Sequence, residues 1–201
     1  VNSAKRQLLI NKDARFTATE LEAFAHHELG IHMLTTLNAR KQPLKVFSLG
    51  LVGNTHTQEG LAIFSEYLSG NMGLKRLKTL ALRVIAVKLM LEQDNFLKTF
   101  QTLTSDYGVS QEQAFTLTTR VYRGGGFTKD FLYLRGFSDV VDMYYREQSL
   151  DGLLVGKAGL LDLPVIDEMI DRGMIDAPRS LFELKVQKQS PIIDYLVSAL
   201  H

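Results

Sequence analysis

Two histidines five residues apart, His27 and His32, restrict the folding of this chain more than any other feature. They lie in Ala25-His26-His27-Glu28-Leu29-Gly30-Ile31-His32, where the carboxylate of Glu28 stands beside the first imidazole. Upstream, Thr17-Ala18-Thr19-Glu20 has the form of a capping box, which predicts a helix starting near residue 18 and running through both histidines. On a regular α-helix five residues advance about 500°, so the two imidazoles point about 140° apart. To share a metal ion they need a π-type turn that takes in one extra residue between 27 and 32. Gly30, poorly suited to a helix interior on propensity, lies in the turn that has to widen. Leu21, Phe24, Ala25, Glu28 and His32 are expected on one inward face of this helix, which should stop near residue 38, ahead of Pro43.

A second stretch, Thr57-Gln58-Glu59-Gly60-Leu61-Ala62, opens another predicted helix that starts from Thr55 or Thr57 and ends at Gly70. His27, His32 and Glu59 supply the three nitrogen and oxygen ligands of a catalytic zinc site, leaving one coordination position open. Glu28 then stands where a general base is needed, to take the proton of the attacking water and pass it to the leaving amine. The chain has no cysteine, which excludes thiolate metal sites, disulfides and cysteine nucleophiles. His26 is a rival in register, although it requires a spacing of six to His32, and His56 is a rival third ligand. Against the metal stands a plainer account, in which the histidines make local hydrogen bonds and Glu28 and Glu59 are surface carboxylates. The coincidence of a His-Glu pair, a second histidine, an interior glycine and a glutamate opening the next helix favours the metal.

Around these motifs the periodicity predicts a mainly helical protein. An amphipathic helix spans Leu74 to about Gln93, with Lys75, Arg76, Lys78, Arg83 and Lys88 read as a solvated basic face. Further helices are expected at about 94–106, 110–122, 129–148, 158–172 and 190–200. Short strands are expected at Gln7 to Ile10 and Lys45 to Leu51, which gives the fold class: mainly α with a small β-sheet (α+β, zincin-like), and the two metal motifs on adjacent helices. Residues 1–201 are expected to form a single domain, the C-terminal part of a longer chain. A formal charge of +1 with 22% charged residues indicates no general attraction to nucleic acid or membrane, and no apolar run is long enough to span a bilayer. A cytoplasmic location is compatible with this composition, and nothing in it fixes the oligomeric state.

Arg120-Val-Tyr-Arg123-Gly-Gly-Gly-Phe-Thr-Lys129-Asp-Phe-Leu-Tyr133 joins two predicted helices. Its three glycines match neither nucleotide-binding fingerprint, so the stretch is read as a turned loop carrying Arg123 and Lys129 toward a cleft, with Thr128 capping the next helix. The default alternative is an ordinary connection with exposed charges.

His27-Glu-Leu-Gly-Ile-His32, Ser48-Leu-Gly-Leu51, Thr57-Gln-Glu-Gly-Leu-Ala62 with Ser65-Glu-Tyr67, and Arg120 through Gly136 together resemble the QEGLA-motif proteins. Bacterial members of that family are labelled flavohemoglobin expression-modulating proteins, and it includes the microtubule-associated tyrosine carboxypeptidase of animals. The resemblance implies a zinc peptidase with His27, His32 and Glu59 as ligands and Glu28 as catalytic base. The expected function is therefore that of a zinc carboxypeptidase removing a C-terminal residue, with Tyr as one candidate, from a peptide or protein. A carboxypeptidase needs a cation for the substrate carboxylate, and Arg123, Lys129 and then Arg120 are the candidates. Tyr133 is the candidate donor to the developing oxyanion. Two alternatives stand beside it: a zinc amidase or esterase acting on a small metabolite, and a non-catalytic regulatory protein with a structural metal site.

Overall fold

The computed structural model describes residues 7–123, 128–179 and 187–200. It is mainly helical, in the order α1 (Ala18–Ala25), a π-helical segment (His26–Met33), α2 (Leu34–Lys41), α3 (Val46–Leu49), α4 (Asn54–Leu68), α5 (Leu74–Gln93), α6 (Phe96–Ser105), α7 (Gln111–Tyr122), α8 (Leu132–Tyr145), two short 3-10 turns (Asp151–Leu154 and Leu160–Asp162), α9 (Leu163–Asp171) and α10 (Pro191–Ser198). The triple-glycine loop at 124–126 lies outside the described residues.

No β-sheet occurs among the described residues, which corrects the expected small sheet. Gln7 makes an isolated bridge, and residues 8–10 join no ladder. Lys45 to Leu51 instead closes one helical turn, with Ser48 N donating to Lys45 O (3.0 Å) and Gly50 N to Val46 O (2.8 Å). That turn buries Phe47 beside Ala39, Val155 and Ile166. Backbone bonds from Lys157 N to Phe47 O (2.9 Å) and from Leu51 N to Lys157 O (2.8 Å) satisfy the groups a strand partner would have taken.

The chain divides into two compact units, residues 1–72 with 135–201, and residues 73–134. In the first unit α4 is the central helix: from Gly60 to Leu68 every residue is buried, as expected of a helix apolar nearly all round. Full burial of side chains such as Ile63 and Phe64 stabilises the fold by roughly 1.5–3 kcal/mol each. The first helix starts at the capping box read from the sequence, with Thr17 N donating to Glu20 Oε2 (2.9 Å) and Glu20 N to Thr17 Oγ1 (3.2 Å). The helical run continues to Lys41, beyond the expected stop near residue 38. Asn38 and Gln42 hold that extension: Asn38 Nδ2 donates to Leu154 O (2.9 Å) and Gln42 Nε2 to Asp176 O (2.9 Å).

The second unit packs α5, α6 and α7 around Leu82, Ala86, Leu103, Leu117 and Val121. Asn95 and Ser110 cap α6 and α7 through bonds from Lys98 N (2.9 Å) and Gln113 N (3.3 Å). Among the described residues no helix is long and apolar enough to cross a membrane.

Candidate metal centre

The widening that the histidine spacing demands is present. His26–Met33 is π-helical, and the residues flanking it, Ala25 and Leu34, keep right-handed helical backbone, so α1, the π segment and α2 run on without a break. The extra residue per turn brings the two imidazoles together, with ring centroids 5.0 Å apart and planes at 75°. Thr35 and Thr36 secure the exit from the widened turn, their hydroxyls donating to Ile31 O (2.8 Å) and His32 O (2.8 Å).

The same widening breaks the inward face extrapolated from Leu21. No residue of α1 is buried, and Leu21 is 50% exposed. The buried face begins only at His27, because a π turn rotates the later side chains out of the 3.6-residue register. Gly30 is buried, yet a Cβ there would meet nothing within 4 Å, so neighbouring atoms do not require a glycine at that position.

His27, His32 and Glu59 each present one donor atom, and the three atoms lie within 4.8 Å of one another. Glu59 Oε2 is 3.7 Å from His27 Nε2 and 3.6 Å from His32 Nε2. These separations are too long for charge-assisted hydrogen bonds. They match the spacing of about 3.4 Å between tetrahedral ligands that are each about 2.1 Å from one ion. Side-chain exposures of 11% for His27 and 20% for both His32 and Glu59 leave one flank of the trio reachable from solvent. The donor set therefore fits a metal ion with an open position. Glu28 is half-buried beside His27 in the chain.

Glu66, which belongs to neither ligand motif, completes the arrangement. Glu66 Oε1 lies 2.7 Å from His27 Nδ1, and its side chain is only 4% exposed. A carboxylate accepts, so His27 Nδ1 donates to Glu66, which directs Nε2 toward Glu59 and His32. Glu66 follows Glu59 by seven residues on α4, two helical turns along the same face. That offset is the signal by which it was findable.

The rest of the Thr57–Ala62 motif holds Glu59 in place. Thr57 Oγ1 accepts from Leu160 N (2.9 Å), and the Gln58 side chain bonds Thr35 Oγ1 (2.7 Å). At Gly60 the backbones of α4 and α8 touch. A Cβ on Gly60 would lie 2.4 Å from the Gly136 carbonyl, and one on Gly136 would lie 2.3 Å from His56 O. Only glycine at both positions allows this approach.

The rival ligands are placed differently. His56 Nε2 is bonded to Asp139 Oδ2 at 2.7 Å, and neither His56 nor His26 belongs to the trio. Arg120, Arg123, Lys129 and Tyr133 lie in the second unit. Arg120 is paired to Asp130 through Nη2 (2.6 Å) and Nε (2.9 Å), Arg123 and Lys129 are exposed, and the Tyr133 ring carries the Arg83 guanidinium 5.1 Å from its centroid. The Thr128 hydroxyl accepts from Asp130 N (3.2 Å), four residues ahead of the first residue of α8. Nor is the basic side of α5 uniformly solvated, because Arg76 and Arg83 are half-buried while Lys75, Lys78 and Lys88 are exposed.

A family model described as microtubule-associated tyrosine carboxypeptidase matches residues 1–200. Comparison with curated proteins and with solved structures found no match.

Proposed function

The chain belongs to the microtubule-associated tyrosine carboxypeptidase family, and from that premise we propose that it is a zinc-dependent carboxypeptidase releasing the C-terminal residue of a peptide or protein. One observation carries the metal side of this proposal: His27 Nε2, His32 Nε2 and Glu59 Oε2 converge at 3.6–3.7 Å, while Glu66 occupies the other nitrogen of His27. Zinc bound there would act as a Lewis acid, polarising the scissile carbonyl and lowering the pKa of a water toward ~7.

The chain's own residues supply the remaining chemistry. Glu28 takes a proton from the attacking water as the new C–O bond forms. It returns that proton to the amine nitrogen as the C–N bond breaks, so one carboxylate serves as base and then acid. Glu66 keeps His27 in one tautomer and one orientation throughout. Tyr133 is retained as the proposed donor to the developing oxyanion. Among the proposed carboxylate anchors, Arg120 is already engaged by Asp130, and the exposed Arg123 and Lys129 would meet a carboxylate in competition with water.

The test is to purify the protein without chelators, measure its metal content, and follow peptides by mass spectrometry for loss of a single C-terminal residue. Stoichiometric zinc with such release is the expected result. A chain that binds no metal would sink the proposal, and one that hydrolyses small acyl compounds but no peptide would redirect it to the amidase alternative.

A further inference from the structure

The π turn that brings His27 and His32 together is a rare form of helix and has to be held open. Packing around Gly30 does not hold it, since a Cβ there would meet nothing within 4 Å. The contacts that can hold it come from α4. At one end of the widened run His27 is bonded to Glu66, and at the other Thr35 is bonded to Gln58, each at 2.7 Å. Both intervals are eight residues, from His27 to Thr35 and from Gln58 to Glu66, and they run in opposite directions. Thr35 is 1% exposed and Gln58 7%, so water does not replace this contact. The Thr35 hydroxyl also lies 2.8 Å from Ile31 O, so its one proton is shared between its own helix and α4.

The register of the helix decides whether the contact exists. On a regular α-helix eight residues leave His27 and Thr35 about 80° apart, with His32 about 140° from His27. One extra residue absorbed between 27 and 32 brings all three within about 60° of one face. Returning the turn to α-helix would swing Thr35 about 100° around the axis and leave the buried Gln58 amide without its partner. We propose that Gln58 selects the widened register, acting through Thr35 as a positioning residue for His32, whose Nε2 stands 3.6 Å from Glu59 Oε2. That this register serves a metal rests on the zinc proposal, whereas the register itself rests on the two contacts with α4.

The experiment compares the full chain with Gln58→Met, Thr35→Val and the two combined. It reads zinc affinity by chelator competition, and backbone hydrogen exchange at residues 26–36 in the metal-free protein. Each single variant is expected to bind zinc about 10-fold more weakly, the worth of one hydrogen bond, and to exchange about 10-fold faster in that span. The double variant should be no worse than either, because both changes remove the same contact. Thr35→Ser keeps the hydroxyl and should match the parent chain. Gln58→Asn, which withdraws the amide by one methylene, should behave like Gln58→Met and serves if that variant does not fold. Unchanged affinity and exchange in a folded Gln58 variant overturn the proposal, as do losses that add in the double variant. Faster exchange spread evenly over α1 to α4, instead of concentrated at 26–36, shows general destabilisation and overturns it too. A parent chain that binds no zinc, with exchange at 26–36 still accelerated by Gln58→Met, keeps the register role and loses the zinc proposal. Zinc bound equally well by parent and variants keeps the metal and removes Gln58 from its positioning.

Discussion

His27 Nδ1 and Glu66 Oε1 are 2.7 Å apart, one on the π segment and the other on α4, and this contact decides which nitrogen of His27 faces Glu59. A histidine free to rotate or change tautomer presents a metal with the wrong atom part of the time. With Glu66 nearly buried, this contact sets the orientation of the His27 ring before any ligand arrives.

Glu66→Gln should therefore weaken zinc binding about 10- to 100-fold, as loss of an outer-sphere carboxylate generally does. Chelator competition measures this directly, without reference to turnover. Glu66→Ala should weaken it at least as much and also lower stability by about 1–3 kcal/mol, because it leaves a buried imidazole N–H unpaired. Unaltered zinc affinity in both variants would show that the contact is merely structural.

Glu28 should be separable from the metal. Glu28→Gln preserves the size and polarity of the side chain but removes the base, so kcat should fall about 10²- to 10⁴-fold while metal content per chain is unchanged. Elemental analysis beside the C-terminal release assay distinguishes this from metal loss. His32→Ala should instead abolish stoichiometric metal binding, together with any rise in Tm on adding zinc.

The helices and the pairing of His27 with His32 were legible in the sequence because both depend on local spacing. The capping box at Thr17 and Glu20 fixed the start of α1, and the five-residue interval from His27 to His32 allowed a shared ligand only if the helix widened. The strand expected at Lys45 to Leu51 failed because its bonding partner, the backbone of Lys157, is about a hundred residues distant in sequence and no local pattern announces it. Arg83 was misread for a similar reason. Its place on α5 is periodic and predictable, but its neighbours Asp130 and Tyr133 come from far along the chain, where the helix period cannot see them. Glu66 lay between these cases, visible as a face-mate of Glu59 and without a role until His27 was found against it.

Three glycines offer a contrast that tests the packing. Gly60→Ala and Gly136→Ala each place a methyl group within 2.4 Å of backbone, so each should lower stability by roughly 1–3 kcal/mol or more, since neither helix can move without disturbing the other. Gly30→Ala meets no neighbouring atom and should raise helix stability by up to about 1 kcal/mol. Thermal unfolding of the three variants orders them. If Gly30→Ala melts earliest, the π segment depends on glycine for reasons of backbone conformation.

At the far end of α4 the Tyr67 hydroxyl donates to Asp194 Oδ1 at 2.9 Å, tying α10 to the helix that carries Glu59 and Glu66. Burial, and then this bond to Asp194, raise the phenol well above its ordinary pKa of 10.0. The neutral form is thus favoured in the folded state, and the unfolded chain loses the proton first as the pH climbs. The stability Tyr67 contributes is fully present below pH 10 and should be lost progressively above it. Tyr67→Phe removes the ionising group, so its stability should be lower by about 1 kcal/mol at neutral pH and decline less steeply on the alkaline side. Denaturant titrations at pH 8 and above pH 10 measure both effects. Parallel declines in the two proteins would mean that another group governs the alkaline limit.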